Sequence, residues 1–401
     1  LFHKIELIAV KIIYYVNHLE QSAGGIRQYA LGILRSIVNL KQHHFYIYGN
    51  ANDVELIQIA CANDNVTLIS NEPGLVERFY FALWRAISFF QRRIFPELKI
   101  PIVNHINSKV NRLKIDILHC PYQYTPESDC KTICTMHDVQ ELLFPEYFTP
   151  EERSLRAVSY ADYIKRAHTV VTSYDFIKND LMKFFRLPHS KVAVCLMDMG
   201  AIWSKEEVEL FEKLDTSANG EGEFILYAAN TWPHKNHVNL LKAIRQLKDE
   251  GKVVKLICTG HQTPYYNEVI FPLINSLKLE DQVKFLGLVP RKKLLEFYKF
   301  CRLVVVPTKY EAGSFPLMEA VSLGVPVICS AVTSLPSVLR FNSYMFNPND
   351  VGEIAIKLNH FLSNPQALES NAKDSKESGK LIYDNKAGAV MNSIYQSMVS
   401  G

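Results

Sequence analysis

Nowhere do eighteen apolar residues run together in these 401 residues, so no segment reads as a helix that crosses a bilayer. The eight cysteines include no Cys-x-x-Cys pair, and the nearest two, Cys130 and Cys134, have no second half to complete a zinc centre. Reduced, mostly buried thiols in a cytoplasmic protein are therefore expected. Charge of one sign is also lacking. A net charge of +3 gives no reason to expect a nucleic-acid partner. The opening residues, Leu1 to Val10, lack the charged-then-apolar pattern of a signal peptide, and the chain opens on Leu rather than Met, so its natural start is left open. No repeat of solenoid period is present.

What is there is enough for two cores: 48% of the residues are hydrophobic and only 21% are charged. Strand-like apolar runs alternate with helical patterns. In the first half they are Lys11–Val16, His44–Tyr48, Val66–Ile69, Ile115–His119, Thr132–Met136 and Thr169–Thr172, with a helix from Ile26 to Leu40 after Gly24-Gly25. The texture changes near residue 200. Thr216-Ser-Ala-Asn-Gly-Glu-Gly-Glu223 reads as a loop or linker. A second alternating set follows: strands Phe224–Ala228, Val254–Thr259, Val283–Leu286 and Leu303–Val306, with helices at about 239–250, 267–278 and 291–300. Such alternation predicts parallel sheets covered on both faces. The expected fold class is α/β, two Rossmann-like doubly wound domains facing a cleft, with ligands at the carboxyl ends of the strands. The domains are expected at 1–200 and 201–381, with a C-terminal helix at about 382–401 packing back on the first.

The densest chemistry lies between Pro307 and Ile328. Glu311 and Glu319 are eight residues apart, one in the loop after a buried strand and one on the first turns of the next helix. Pro316 suits a first helical turn and Gly324 a helix end. Unpaired backbone N–H groups between the two carboxylates make a place for a ligand that is anionic at one end and rich in hydroxyls at the other, such as a nucleotide sugar.

This stretch resembles the E-x7-E region of retaining GT-B glycosyltransferases of family 4. Three other segments resemble the same family in the same order: the glycine loop Gly24-Gly25-Ile-Arg-Gln-Tyr29, the histidine segment His137-Asp138-Val-Gln-Glu-Leu-Leu-Phe-Pro-Glu146, and Trp232-Pro-His-Lys-Asn-His237. The last points to a mannosyltransferase-like subgroup of surface-polysaccharide assembly. The resemblance covers about 11–375 and implies the GT-B fold, hexosyltransferase activity and a nucleoside-diphosphate-sugar donor with GDP or UDP. It also implies a glycan or lipid-linked acceptor and no metal cofactor. By this resemblance His137, Glu311 and Lys235 serve the reaction. Gly24, Gly25, Asn230, Lys235, Ser314, Phe315, Pro316, Leu317 and Glu319 hold the donor, with Glu319 on the ribose hydroxyls. Physical sense agrees: a diphosphate leaving group held without a metal needs cations and aimed N–H dipoles, and Gly25 lets backbone approach where a Cβ would collide. One departure stands out. Many members of the family carry an arginine six residues before the lysine, where this chain has Ala229. Two other readings share the architecture, a nucleotide-sugar epimerase and a non-catalytic sugar-nucleotide binding protein.

Residues 75–115 carry eight Lys or Arg and only two acidic residues. Arg78, Arg85 and Arg92 recur every seven residues beside Trp84 and Arg93, the pattern of a basic aromatic helix. It is expected to form an acceptor surface or to lie on an anionic membrane, peripheral at the inner face of the plasma membrane. A helix packed on the first sheet with an arginine edge in water is the competing expectation.

Overall fold

A computed structural model of the chain describes residues 8–17, 19, 24–71, 105–198, 202–214, 224–383 and 387–400. Its strands form two sheets. The first joins β1 (Lys11–Tyr15), β2 (His44–Gly49), β3 (Val66–Ser70), β4 (Ile117–Cys120), β5 (Lys131–Thr135), β6 (Thr169–Thr172) and β7 (Val192–Val194) in the order β3-β2-β1-β4-β5-β6-β7. The second joins β8 (Phe224–Ala228), β9 (Lys255–Thr259), β10 (Val283–Phe285), β11 (Leu303–Val306), β12 (Val327–Ser330) and β13 (Met345–Phe346) in the order β10-β9-β8-β11-β12-β13. Neighbouring strands in both are parallel. The central strands β4, β11 and β12 are buried on both faces, which is why ILHC, LVVV and VICS show no polar alternation.

Strand order reverses between β1 and β4 in one sheet and between β8 and β11 in the other. Loops diverge at such switch points and leave a crevice at the carboxyl ends. The segments singled out in the sequence sit at these ends: Gly24-Gly25 beyond β1, His137-Asp138 beyond β5, Lys235 beyond β8 and Glu311 beyond β11. The E-x7-E helix runs Phe315–Leu323, with Pro316 in its first turn and Gly324 ending it at φ 68°.

Short elements depart from the sequence reading. The 267–278 helix is a π segment, Tyr266–Ile270, followed by Phe271–Ser276, because Pro272 has no N–H for a regular i→i−4 bond. Strand β13, with two residues, is too brief to give a periodic signal, and the sequence reading also omitted β7, a three-residue strand at the edge of the first sheet. Helix Ala387–Ser400 packs on helix Gly24–Ile37 of the first sheet. Its Ala387 N–H donates to Asp198 Oδ1 (2.9 Å) and its Tyr395 hydroxyl meets His119 Nδ1 (2.8 Å). Among the described residues no helix is long and apolar enough to cross a membrane.

Candidate active site

The loop after β8 is fixed before its lysine is placed. Asn236 adopts a left-handed φ of 62°, and its Nδ2 donates to the carbonyls of Pro307 and Pro348, each at 2.8 Å. That stitches the end of β8 to the end of β11. The Tyr227 hydroxyl donates to the Lys235 carbonyl (2.9 Å), while Thr308 Oγ1 (3.0 Å) and the Lys309 N–H (2.8 Å) donate to that of His234. With its backbone held this way, Lys235 Nζ reaches Glu311 Oε2 at 2.5 Å. Their side chains are only 17% and 5% exposed, so water screens this pair far less than a surface ion pair. Glu311 is itself anchored: its N–H donates to Thr333 Oγ1 (3.1 Å), and its carbonyl accepts from Thr333 Oγ1 (2.8 Å) and Ser334 Oγ (3.1 Å).

Beyond Glu311 the chain turns into the helix through Gly313 and Ser314. No described residue accepts from the N–H groups of Gly313, Ser314, Phe315 or Leu317. The buried Ser314 Oγ is likewise unpartnered. Pro316 has no N–H, so within the stretch 314–317 it shapes the turn while its neighbours offer donors. An anion is the natural partner for such a set at a helix N-terminus. Glu319 is buried one turn further on. Its Oε2 accepts from the Tyr298 hydroxyl (2.7 Å) and its carbonyl from Trp203 Nε1 (3.3 Å). Burial pushes its carboxyl above the ordinary 4.5, with the Tyr298 hydroxyl and the Arg291 charge pulling the other way.

The first sheet supplies the opposite wall. The His137 ring stands edge-on to Tyr29, with centroids 4.8 Å apart, and its Nε2 lies 3.2 Å from the Pro121 carbonyl. Tyr29 belongs to the helix opened by Gly24-Gly25, so the glycine loop and the histidine segment form one unit. Burial pushes the His137 imidazole down from 6.5 to about 4, against a small opposing pull from that carbonyl. The ring is therefore neutral at pH 7 and takes a proton only as pH falls toward 4. In an NMR titration its ring resonances should not move between pH 6 and 9. A midpoint near 6.5 would contradict this placement.

Four observations bring the two walls together. Asp138 lies close enough to feel both Lys235 and Glu311, whose charges act on a carboxyl that burial raises above 3.8 and Arg156 lowers. A Cβ at Gly25 would sit 3.1 Å from the Phe315 ring, so only glycine admits that ring without a shift. The Tyr174 hydroxyl, just after β6, points at Met318 Sδ (3.8 Å). Finally, the Tyr310 ring lodges between Phe144 (5.5 Å) and Phe176 (6.5 Å) of the first domain.

Asn230 Oδ1 accepts from the His261 N–H (2.8 Å) and braces that loop. Ala229 beside it is buried, so nothing in that position replaces the missing arginine. Arg78, Trp84, Arg85, Arg92 and Arg93 lie outside the described residues. Among the described residues no three His, Cys, Asp or Glu side chains converge as metal ligands. Sequence reading quoted Asn236 within its motif without giving it a role, and assigned none to Tyr298 or Tyr310. Asn tolerates the left-handed region, which was a usable signal for Asn236, whereas the two tyrosines read as ordinary helix and loop aromatics.

Residues 210–379 match the family described as Glycosyl transferases group 1. O-antigen chain mannosyltransferase B of Escherichia coli is 29% identical over 244 residues, 60% of this chain and 63% of that protein. The matched region thus spans less than two thirds of that relative. Among solved structures, sucrose-phosphate synthase from Thermosynechococcus elongatus aligns with a TM-score of 0.64 at 15% identity, over 98% of this chain and 99% of that one. HepE from Anabaena, solved in complex with UDP-glucose, aligns with a TM-score of 0.63 at 15% identity over 98% and 99%. The architecture is the GT-B fold, two parallel-sheet α/β domains facing one another.

Proposed function

We propose that this chain is a retaining hexosyltransferase of family 4. It moves a sugar, of mannose type in the favoured reading, from a GDP- or UDP-sugar to a hydroxyl of a glycan or lipid-linked acceptor in cell-surface polysaccharide biosynthesis. The observation that carries the reading is the buried Lys235–Glu311 pair beside the unpartnered amides of Gly313–Leu317, across the cleft from His137 and Asp138. Diphosphate oxygens compete with Glu311 for Lys235 and accept from the amides, so cation and dipoles meet the charge that grows as the glycosidic bond breaks. Glu319 grips the ribose diol with its carboxylate. Neutral His137, with its Nε2–H facing the Pro121 carbonyl, keeps Nδ1 as an acceptor for a sugar hydroxyl without adding charge.

In the step itself the acceptor oxygen bonds to the anomeric carbon. The bond from that carbon to the diphosphate oxygen breaks, and its electron pair leaves with the phosphate. The acceptor proton passes to the departing phosphate oxygen on the same face. The described side chains then need only bind, orient and exclude water. No divalent ion is required, because Lys235 and the amides hold the charge. The mannosyltransferase relative and the UDP-glucose complex of HepE support a nucleotide-sugar donor and a polysaccharide product. The basic segment with Arg78, Trp84, Arg85, Arg92 and Arg93 supports, on sequence alone, a cytoplasmic protein touching the inner face of the plasma membrane.

The test incubates the full chain with GDP-mannose, UDP-glucose and UDP-N-acetylglucosamine plus oligosaccharide acceptors, and reads the product by mass and NMR. Transfer with the donor's anomeric configuration kept, at a rate that EDTA changes by less than about twofold, is expected. An inverted linkage, or an epimerised donor with no transfer, would overturn the reading.

A further inference from the structure

A cavity of about 580 Å³ opens beside the candidate site without using any of its ligand-binding residues. That lies inside the usual range of small-ligand pockets, roughly 300–1,000 Å³. Phe144 of the first domain forms one side, and the rest comes from the second, Lys309, Asn342, Asn347 and Asn349 among apolar residues that include Phe346. Its wall is continuous with the site. The Lys309 N–H donates to the carbonyl of His234, the residue before Lys235, and Phe144 packs edge-on against Tyr310, the residue before Glu311.

The lining says what would fit. Three asparagines each offer two donors and an acceptor. Among the described residues the side chains of Asn342 and Asn349 make no hydrogen bond, whereas Asn347 Oδ1 accepts from the Asn349 N–H (3.0 Å). Charge is scarce and balanced: the lining holds one lysine, Lys309, and one glutamate, Glu353, whose Oε2 already accepts from the Asn347 N–H (3.1 Å). One lysine is poor provision for a phosphorylated ligand, which draws clusters of cations and amides. Phe144, stacked on Tyr147 with centroids 5.7 Å apart, presents an aromatic wall, and Phe346 gives an apolar floor. The three asparagines are exposed, so their amides are free to turn toward a ligand, and beside an aromatic wall they match a neutral sugar, whose hydroxyls both give and take hydrogen bonds and whose C–H face packs on rings.

We infer that this cavity is an oligosaccharide subsite that holds the acceptor glycan behind its reacting end. Because Phe144 comes from one domain and the asparagines from the other, a seated glycan bridges the two domains. The inference rests on the glycosyltransferase reading for the word acceptor, though not for the sugar site itself.

The probes are mannotriose and maltotriose, followed by saturation-transfer NMR on the full chain. Variants Asn342→Trp and Asn349→Trp fill the cavity, and Asn349→Gln conserves the amide. Wild type and Asn349→Gln are expected to return a signal from at least one trisaccharide, and both tryptophan variants to weaken it about tenfold. The paired truncation Asn342→Ala, Asn349→Ala should weaken it by a similar factor, about tenfold for two neutral hydrogen bonds, and it serves where a tryptophan does not fold. UDP and GDP affinities should stay within about twofold throughout. No signal with wild type, or an undiminished signal in the filled and truncated variants, overturns the subsite. Failure of the glycosyltransferase reading registers elsewhere, as no sugar transferred by wild type from any of the three donors.

Discussion

Lys235→Ala should lower the transfer rate by about 10²- to 10³-fold, with a smaller rise in donor KM, because it removes a preorganised charge that acts most strongly on the leaving diphosphate. Ala229 sharpens the expectation. With no arginine at that position, the phosphate charge in the proposed reading falls chiefly on Lys235 and the amides of Gly313, Ser314, Phe315 and Leu317. The same substitution strands Glu311, which is 5% exposed and has Lys235 as its ion-pair partner. An unpaired buried carboxylate is costly, so thermal unfolding must be followed beside activity. Lys235→Arg separates the two effects. It keeps the charge for Glu311 but presents a planar fork instead of a point charge, so stability should return further than the rate does. A rate within about threefold of wild type for Lys235→Ala would remove the phosphate assignment, whatever the stability shows.

The architecture was readable because its signals are local and repeated. Runs such as Leu303–Val306 are long enough and apolar enough to be buried strands, and Pro316 and Gly324 punctuate the helix that follows. The site was readable only in part. Lys235 and Glu311 could be named as candidates from their motifs, but nothing in the spacing said that they pair, since that depends on how β8 and β11 lie side by side. The clamp that makes the pairing possible, Asn236 on Pro307 and Pro348, joins residues far apart in the chain. Tyr310 shows the same limit. Its insertion between Phe144 and Phe176 is a contact between domains, and a single sequence carries no pattern for it. Asn230 adds a bond of the same kind, its Oδ1 holding the His261 N–H of a loop that lies 31 residues away in the chain.

Glu319→Ala should weaken UDP or GDP binding by roughly 10- to 100-fold in calorimetry, since each hydrogen bond to a charged acceptor contributes about 1.5–3 kcal/mol. Loss of a fold element could imitate this, because the substitution also leaves the buried Tyr298 hydroxyl without the oxygen it now meets at 2.7 Å. Two comparisons separate recognition from collapse. Glu319→Gln keeps an acceptor for Tyr298 while removing the charge, so it should fold like wild type and still bind the nucleotide more weakly. A 2′,3′-dideoxynucleoside diphosphate has no diol to grip. It should bind wild type as weakly as the natural nucleotide binds Glu319→Ala, and should lose little more when both changes are combined. The pH dependence has a definite sign. Burial raises the Glu319 carboxyl above 4.5, so affinity is full above that raised value and falls as pH drops through it, because the protonated acid has one acceptor oxygen fewer to give. Glu319→Gln should flatten that dependence. Fully additive losses in the dideoxy cycle would mean that the carboxylate supports the fold rather than the ribose, and the donor site would then have to be sought elsewhere in the cleft.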